Sequence, residues 1–411
     1  MIWRPFTQEK TAPPPVKIIR GDGAYLISEG GKRYLDMISS WFVNMHGHAH
    51  PEIADAIAQQ AKTLEHVIFT RFSHDPAEQL VENLKPIVPK KLSRYFFSDN
   101  GSTAVEVAIK MAYQYFQNIG DPDHKLFLSL EGGYYGDTFG AMSVAGTNSK
   151  YHATFSDLFF KTIMIDVPEY YDGVEFIEAK ENEIIRKLEK MLGEIGDKVC
   201  ALILEPLLQG SFGMRLYRAE FLERLVNKVR EYGILVIFDE ILTGFQRTGR
   251  MFAMNYTNVT PDFICLSKGL TGGFLPLALT ITSEKIYDAF LSDDKRKTFL
   301  HGHSYTANPI ACAAACKSLE ILRRKETVAK VEEISEFHRA NDIPKALKRR
   351  SVGTVTAFDV ESEDLANFVI DRTWENGIFL RPLGKTIYIF PPYCVNVDDL
   401  ANTYDIINRH L

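Results

Sequence analysis

The sequence predicts an α/β chain, a mostly parallel seven-stranded sheet covered by helices, with a smaller α+β lobe beside it. Three observations carry that prediction. From about residue 50, short and nearly all-apolar runs alternate with amphipathic stretches such as residues 218–232. Strands that are hydrophobic on both faces belong in a parallel sheet buried between helix layers. After about residue 312 the composition turns more polar and the strand-like pieces shorten. A chain of 411 residues also exceeds what one ordinary core holds.

Taken in order, the first residues contain Pro5 and then Pro13, Pro14 and Pro15, and read as an extended, irregular arm. GAYLISEGGKRYLDM follows as a hairpin, two alternating strands around Glu29, Gly30 and Gly31. The seven apolar runs are RYFFS, KLFLSL, KTIMIDV, ALILEP, ILVIFDE, FICLSK and LALTIT. Beyond them come a helical stretch, CAAACKSLEILRR, and two strand-like pieces, VGTVTAFDV and TIYIFPPY. These shifts divide the chain into three parts. Residues 1–49 form an arm and hairpin belonging to the small lobe, residues 50–312 the large domain, and residues 313–411 the rest of the small lobe.

Charge and composition exclude several functions. Hydrophobic residues make up 45% and charged residues 24%, the balance of a soluble globular protein. A net charge of −6 argues against nucleic acid or an anionic membrane as the main partner. No apolar run reaches membrane-spanning length, and MIWRPFTQEK has no signal-peptide core, so a cytoplasmic protein is expected. Cys200, Cys265, Cys312, Cys316 and Cys394 mostly sit among apolar neighbours and read as reduced core residues. His46, His48 and His50 lie close together, but no acidic or cysteine partner accompanies them in the sequence. A turn leading into a helix at Pro51 is the better reading, and no metal is expected.

In parallel sheets ligands bind beyond the carboxyl ends of the strands, so those positions matter most. RYFFSDNGSTAVEVAIKMA puts Gly101 and Ser102 at a helix N-terminus, where free N–H groups favour a phosphate; simple capping by Asn100 or Ser102 explains the same residues. KLFLSLEGGYYGDTFGAMS places Tyr134 and Tyr135 in a Gly-rich loop, suited to stacking on a planar ligand or to covering the core edge. ILVIFDE ends in Asp239, an acid that is costly to bury unless a cation or hydrogen-bond donor meets it. One strand later, FICLSKGLTGG sets Lys268 at the mouth of a buried strand beside a Gly-rich turn. A desolvated lysine loses its proton more easily and condenses with aldehydes. Amine, acid and phosphate cup together are what pyridoxal 5'-phosphate requires.

These residues resemble the class III, fold-type-I pyridoxal-phosphate aminotransferases, over essentially the whole chain. The likeness sharpens toward the biotin-synthesis branch of the class through WRPFTQ at residues 3–8, SSWF around Trp41, GYYGDTFGAMS, LTGFQRTGR, HGHSYTANP and LRPLGKTIYIFPPY. The resemblance implies that Lys268 bonds the cofactor and shuttles the proton, that Asp239 meets the pyridine nitrogen, and that Gly101 and Ser102 bind phosphate. It also implies that His303 and Ser304 complete the phosphate cup from a neighbouring subunit, giving a homodimer with shared sites. Trp41, Tyr134 and Gly302 match substrate-contacting positions, Asp137 and Arg247 polar positions near the site, and Arg381 the arginine that receives a keto-acid carboxylate. Phe6 departs from the pattern: the branch commonly carries a tyrosine there. The implied reaction converts 8-amino-7-oxononanoate to 7,8-diaminononanoate with S-adenosylmethionine as donor. Lysine as the donor, or a broader ω-aminotransferase, keeps every cofactor residue and stays open. A decarboxylase or aminomutase of the same fold would release carbon dioxide or isomerise its substrate instead. A regulator would carry a basic helix-turn-helix, and an NAD-binding protein a Gly-x-Gly-x-x-Gly after a strand; the sequence has neither.

Overall fold

The computed structural model describes residues 2–146 and 152–411. The expected hairpin forms between β2 (Tyr25–Ser28) and β3 (Arg33–Asp36), and β1 (Ile18–Asp22) extends it antiparallel to β2. β1 escaped the sequence pattern because Ile18 and Ile19 are both exposed, so no alternation marks it.

All seven apolar runs become strands of one sheet. In chain order these begin with β4 (Leu92–Ser98), β5 (Leu126–Leu130), β6 (Thr162–Ile165) and β7 (Val199–Leu204). A small hairpin, β8 (Leu208–Gln209) and β9 (Arg215–Leu216), interrupts before β10 (Leu235–Asp239), β11 (Phe263–Leu266) and β12 (Ala278–Ser283). The spatial order is β4-β12-β11-β10-β7-β5-β6. Pairs β11–β10, β10–β7, β7–β5 and β5–β6 are parallel, whereas β12 runs antiparallel to both its neighbours. The reason is the short link between β11 and β12. It contains one turn of 3-10 helix, Lys268–Thr271, and lacks the long crossover that a parallel return needs.

Two-sided burial is visible within single strands. On β7, Leu202 and Leu204 join one apolar cluster while Ala201 and Ile203 join another; on β10, Val236 and Phe238 divide from Leu235 and Ile237 in the same way. The helix Ala219–Arg230 covers the first face with Phe221, Leu222, Leu225, Val226 and Val229. The helix Gly101–Ile119 covers the second with Ala104, Val105, Ala108 and Ala112. Its small residues let it lie close to the sheet, directly beneath the strand ends.

Toward the C-terminus β13 (Leu347–Val352), β14 (Val355–Asp359) and β16 (Thr386–Ile389) form a three-stranded antiparallel sheet. β15 (Ile378–Phe379) instead pairs parallel with β3, so the first and last parts of the chain share a sheet. The helix Pro309–Leu322 runs across residue 312, with Ala311, Cys312, Ala315 and Leu319 all in the large core. Among the described residues no helix is long and apolar enough to cross a membrane.

Candidate active site

β10 and β11 are adjacent and parallel, with Asp239 level with Cys265. Lys268 follows three residues later, so acid and amine emerge together at the carboxyl edge of the sheet. Lys268 itself has a left-handed backbone, φ +46°, which turns the chain sharply out of β11. The glycines behind it serve that turn. A Cβ on Gly273, at φ +88°, would meet the Val43 carbonyl at 3.0 Å, so only glycine lets the two segments touch.

Asp239 is 4% exposed, and its Oδ1 accepts a hydrogen bond from the Ile241 N–H at 2.9 Å. Burial pushes its carboxyl well above the usual carboxylate range and the charge of Glu205 adds to this, while Lys268 pulls it back down. Burial lowers Lys268 below the ordinary lysine value; Asp239 and Glu205 oppose that shift and Arg247 reinforces it. The buried acid and the buried amine thus each favour the other's ionised form, against the burial that opposes both charges.

The amine opens into a cavity of about 290 Å³ lined chiefly by aromatic residues, among them Phe6, Trp41, Phe42 and Tyr134, and by Arg381. Phe42 lies 5.3 Å from the Lys268 Nζ, measured to the ring centre. Trp41 and Phe42 reach the cavity because Ser39–Phe42 is a left-handed turn, with φ between 46° and 73° at all four residues. Left-handed backbone costs about 1–2 kcal/mol per non-glycine residue, so something must hold it. Arg247 does: its guanidinium donates to the carbonyls of Phe42 at 3.4 Å, Asn44 at 3.1 Å and Pro391 at 2.8 Å, and stacks near Phe390 and Tyr393. Phe6 meets Trp41 edge-on at 5.5 Å, and the Arg381 guanidinium covers the same indole at 4.7 Å.

The loop after β5 supplies the other wall. Tyr134 lines the cavity and its hydroxyl donates to Asp137 Oδ2 at 3.0 Å. Asp137 also meets His152 Nε2 at 3.3 Å; chiefly that contact, helped by the Tyr134 hydroxyl, lowers its carboxyl against the opposing effect of burial. Tyr135 turns inward instead, bonded to Ser129 and to the Ile203 carbonyl, and is the core-covering member of the pair. Asn100 caps the helix Gly101–Ile119 through the Thr103 N–H, leaving Ser102 clear of the capping role. Ser102 Oγ accepts from the Asp137 N–H at 3.2 Å, and a Cβ on Gly136 would sit 2.1 Å from that same Oγ. The helix N-terminus and Gly136 thus meet in a tight cradle whose two sides any residue larger than glycine would push apart. The N–H groups of that helix N-terminus suit a phosphate and the Asp239 carboxyl suits a basic ring nitrogen.

The structure gathers Lys268, Trp41, Tyr134, Arg381 and Phe6 around one cavity. Asp239 lies behind the amine, and Gly101, Ser102 and Asp137 share the cradle. Arg247, expected as a polar position near the site, is 1% exposed and its donors go to backbone carbonyls, so it supports the cavity wall from behind. Gly302, His303 and Ser304 do not line this cavity within one chain; Gly302 and Ser304 are exposed, near Tyr305 and His66. The helix expected at Pro51 starts there, and the histidines before it diverge, His46 to Ser318 and His48 to Asp36. Sequence reasoning passed over Glu205 and His152. Glu205 had a visible signal, an acid ending ALILEP as Asp239 ends its own strand; His152 had none.

A family model described as class III aminotransferase matches residues 6–411. The adenosylmethionine-8-amino-7-oxononanoate aminotransferase of Synechococcus elongatus is 48% identical, covering 99% of this chain and 97% of that protein. Its counterpart in Methanocaldococcus jannaschii, a crystal structure, superposes with a TM-score of 0.90 at 32% identity, over 100% of this chain and 96% of that one. An amine transaminase from an uncultivated Pseudomonas species, in its pyridoxal-phosphate-bound form, superposes with a TM-score of 0.91 at 30% identity, over 100% and 98%.

Proposed function

The chain belongs to the class III aminotransferases, and on that premise we propose that it aminates 8-amino-7-oxononanoate to 7,8-diaminononanoate with S-adenosylmethionine as the donor. Its cofactor is pyridoxal 5'-phosphate. When bound, the cofactor supplies an aldehyde and an electron-poor ring that stabilises negative charge at a substrate carbon.

The residues divide the remaining work. Gly101 and Ser102 hold the phosphate with the helix N-terminus behind them. Asp239 would meet the ring nitrogen and favour its protonated form, a buried acid suited to a cation. Lys268 would carry the cofactor and move the proton at the substrate carbon that bears nitrogen; enclosure lowers its proton affinity, which suits a base. Trp41 and Tyr134 wall the space that both substrates use in turn, and Asp137 fixes the Tyr134 hydroxyl.

What supports this assignment most directly is that Arg381 and Lys268 share one aromatic cavity. A guanidinium fork there receives the carboxylate of the amino-keto acid while the amine works at its other end. The indole beneath the guanidinium attracts a sulfonium as readily as an arginine. A second copy of the chain completes the phosphate cup with its own His303 and Ser304. The exposure of Leu300 (80%) and Tyr305 (67%) beside that segment supports such a homodimer. A cytoplasmic location belongs with this reading and is supported by five free cysteines.

The test is a half-reaction series on the holoenzyme. S-adenosylmethionine alone should bleach the visible band, and 8-amino-7-oxononanoate should restore it. Bleaching by lysine and not by S-adenosylmethionine would transfer the donor role to lysine. Bleaching by simple diamines, with no recovery on adding the keto acid, would replace the assignment with a broader ω-aminotransferase.

A further inference from the structure

We propose that Glu205 is a positioning residue for amino transfer, whose single carboxylate ties together two walls of the cavity and governs how firmly Lys268 holds its proton. Glu205 follows β7, next to β10 in the sheet, and is 4% exposed. Its Oε2 accepts from the Tyr134 N–H and its Oε1 from the Gly210 N–H, both at 3.0 Å. Tyr134 and Gly210 each line the cavity beside Lys268, on loops far apart in sequence. One side chain therefore fixes the spacing of two walls of the cavity. The main chain is pinned too, since the Tyr217 hydroxyl donates to the Glu205 carbonyl at 2.5 Å.

No lysine or arginine forms an ion pair with Glu205 among the described residues; backbone N–H groups alone meet its oxygens. The titratable and charged groups around it are Lys268, Arg215, Asp239, Tyr135 and Tyr217. Burial pushes its carboxyl up to about 7, against the pull of the two backbone donors, Lys268 and Arg215. Above that pH the group is an anion, and an anion favours the protonated form of Lys268. This role goes beyond the choice of substrates and would stand for any amino donor.

The experiment uses Glu205→Gln and Glu205→Asp. In apo-protein, the rate at which an amine-reactive acylating reagent modifies Lys268 is followed against pH, by mass spectrometry of the peptide that carries it. The glutamine variant has lost the charge, so its midpoint should move down by about one pH unit. The aspartate variant keeps the charge but is one methylene short of both N–H groups. Its midpoint should stay near that of the original protein while the KM of both substrates rises several-fold. A folded Glu205→Gln whose Lys268 profile coincides with that of the original protein would overturn the electrostatic part. Unchanged KM values in Glu205→Asp would overturn the positioning part. If the glutamine variant does not fold, the aspartate variant carries the test alone: a rise in KM with an unmoved midpoint supports the proposal, and any other result refutes it. Because the acylation readout needs neither substrate, its failure is distinct from an error in the assigned reaction.

Discussion

The guanidinium of Arg381 lies 4.7 Å from the centre of the Trp41 ring, and no carboxylate among the described residues pairs with it. An arginine held flat on an indole keeps its donor edge free for a ligand, and the stacking limits the entropy lost when one binds. Arg381→Ala should therefore weaken the keto acid more than the donor, by about 2–5 kcal/mol if the bound pair is shielded from water. KM values for each substrate decide the matter. Equal losses for both would mean that Arg381 shapes the cavity without selecting between them.

Lys268→Ala should abolish turnover, with at least the factor of about 10²–10⁴ that a positioned proton carrier contributes. The same variant should no longer retain cofactor covalently after borohydride reduction, seen as a missing mass increment on the peptide spanning residue 268. Retained increment at that peptide would place the attachment elsewhere.

Gly136→Ala would drive a methyl group into Ser102, with the Ser102 Cα itself only 2.8 Å away. Backbone must shift, and overpacking of this kind costs about 1–3 kcal/mol. Since the shift falls on the phosphate cradle, pyridoxal phosphate should bind about tenfold more weakly, measured by fluorescence titration of apo-protein. Thermal stability should fall without cofactor as well, and further with it, by the amount of the weakened binding.

Glu240 gives a pH dependence with a defined sign. Its carboxyl is fully buried, and burial pushes it up to about 7 from 4.5, although Thr243 and the Met254 and Ala253 N–H groups hold the anion. Because the folded chain keeps this proton longer than the unfolded chain, stability is lost as pH rises from about 4.5 to about 7, by at most about 1.4 kcal/mol per pH unit. Glu240→Gln should remove this slope, whatever its absolute stability. Melting temperatures of apo-protein across that window test it; parallel curves for the two proteins would count against it.

Much of this architecture was legible in advance because its strands are buried on both faces. ALILEP and ILVIFDE carry no alternation, and that lack of pattern is itself the mark of a central parallel strand; RYFFS reads the same way but forms the edge strand β4, antiparallel to β12. Lys268 and Asp239 were legible for a related reason: a charged residue ending an apolar run needs a purpose. β1 was hidden because both its isoleucines face water. The work of Arg247 was hidden because LTGFQRTGR shows only a cation in a Gly-rich turn, while its role depends on carbonyls at residues 42, 44 and 391. His152 was invisible for the same reason, since its partner Asp137 is met only after the chain folds back.

The left-handed turn Ser39–Phe42 sets a trade between thermal robustness and catalytic order. Glycine at Ser40 would release torsional cost, though it would also give up the Ser40 hydroxyl bond to Asp36 at 2.7 Å. A variant of that kind could gain melting temperature while the indole loses its fixed attitude. Heat resistance in this enzyme is therefore better sought far from that corner, where relaxing the backbone leaves the reacting geometry alone.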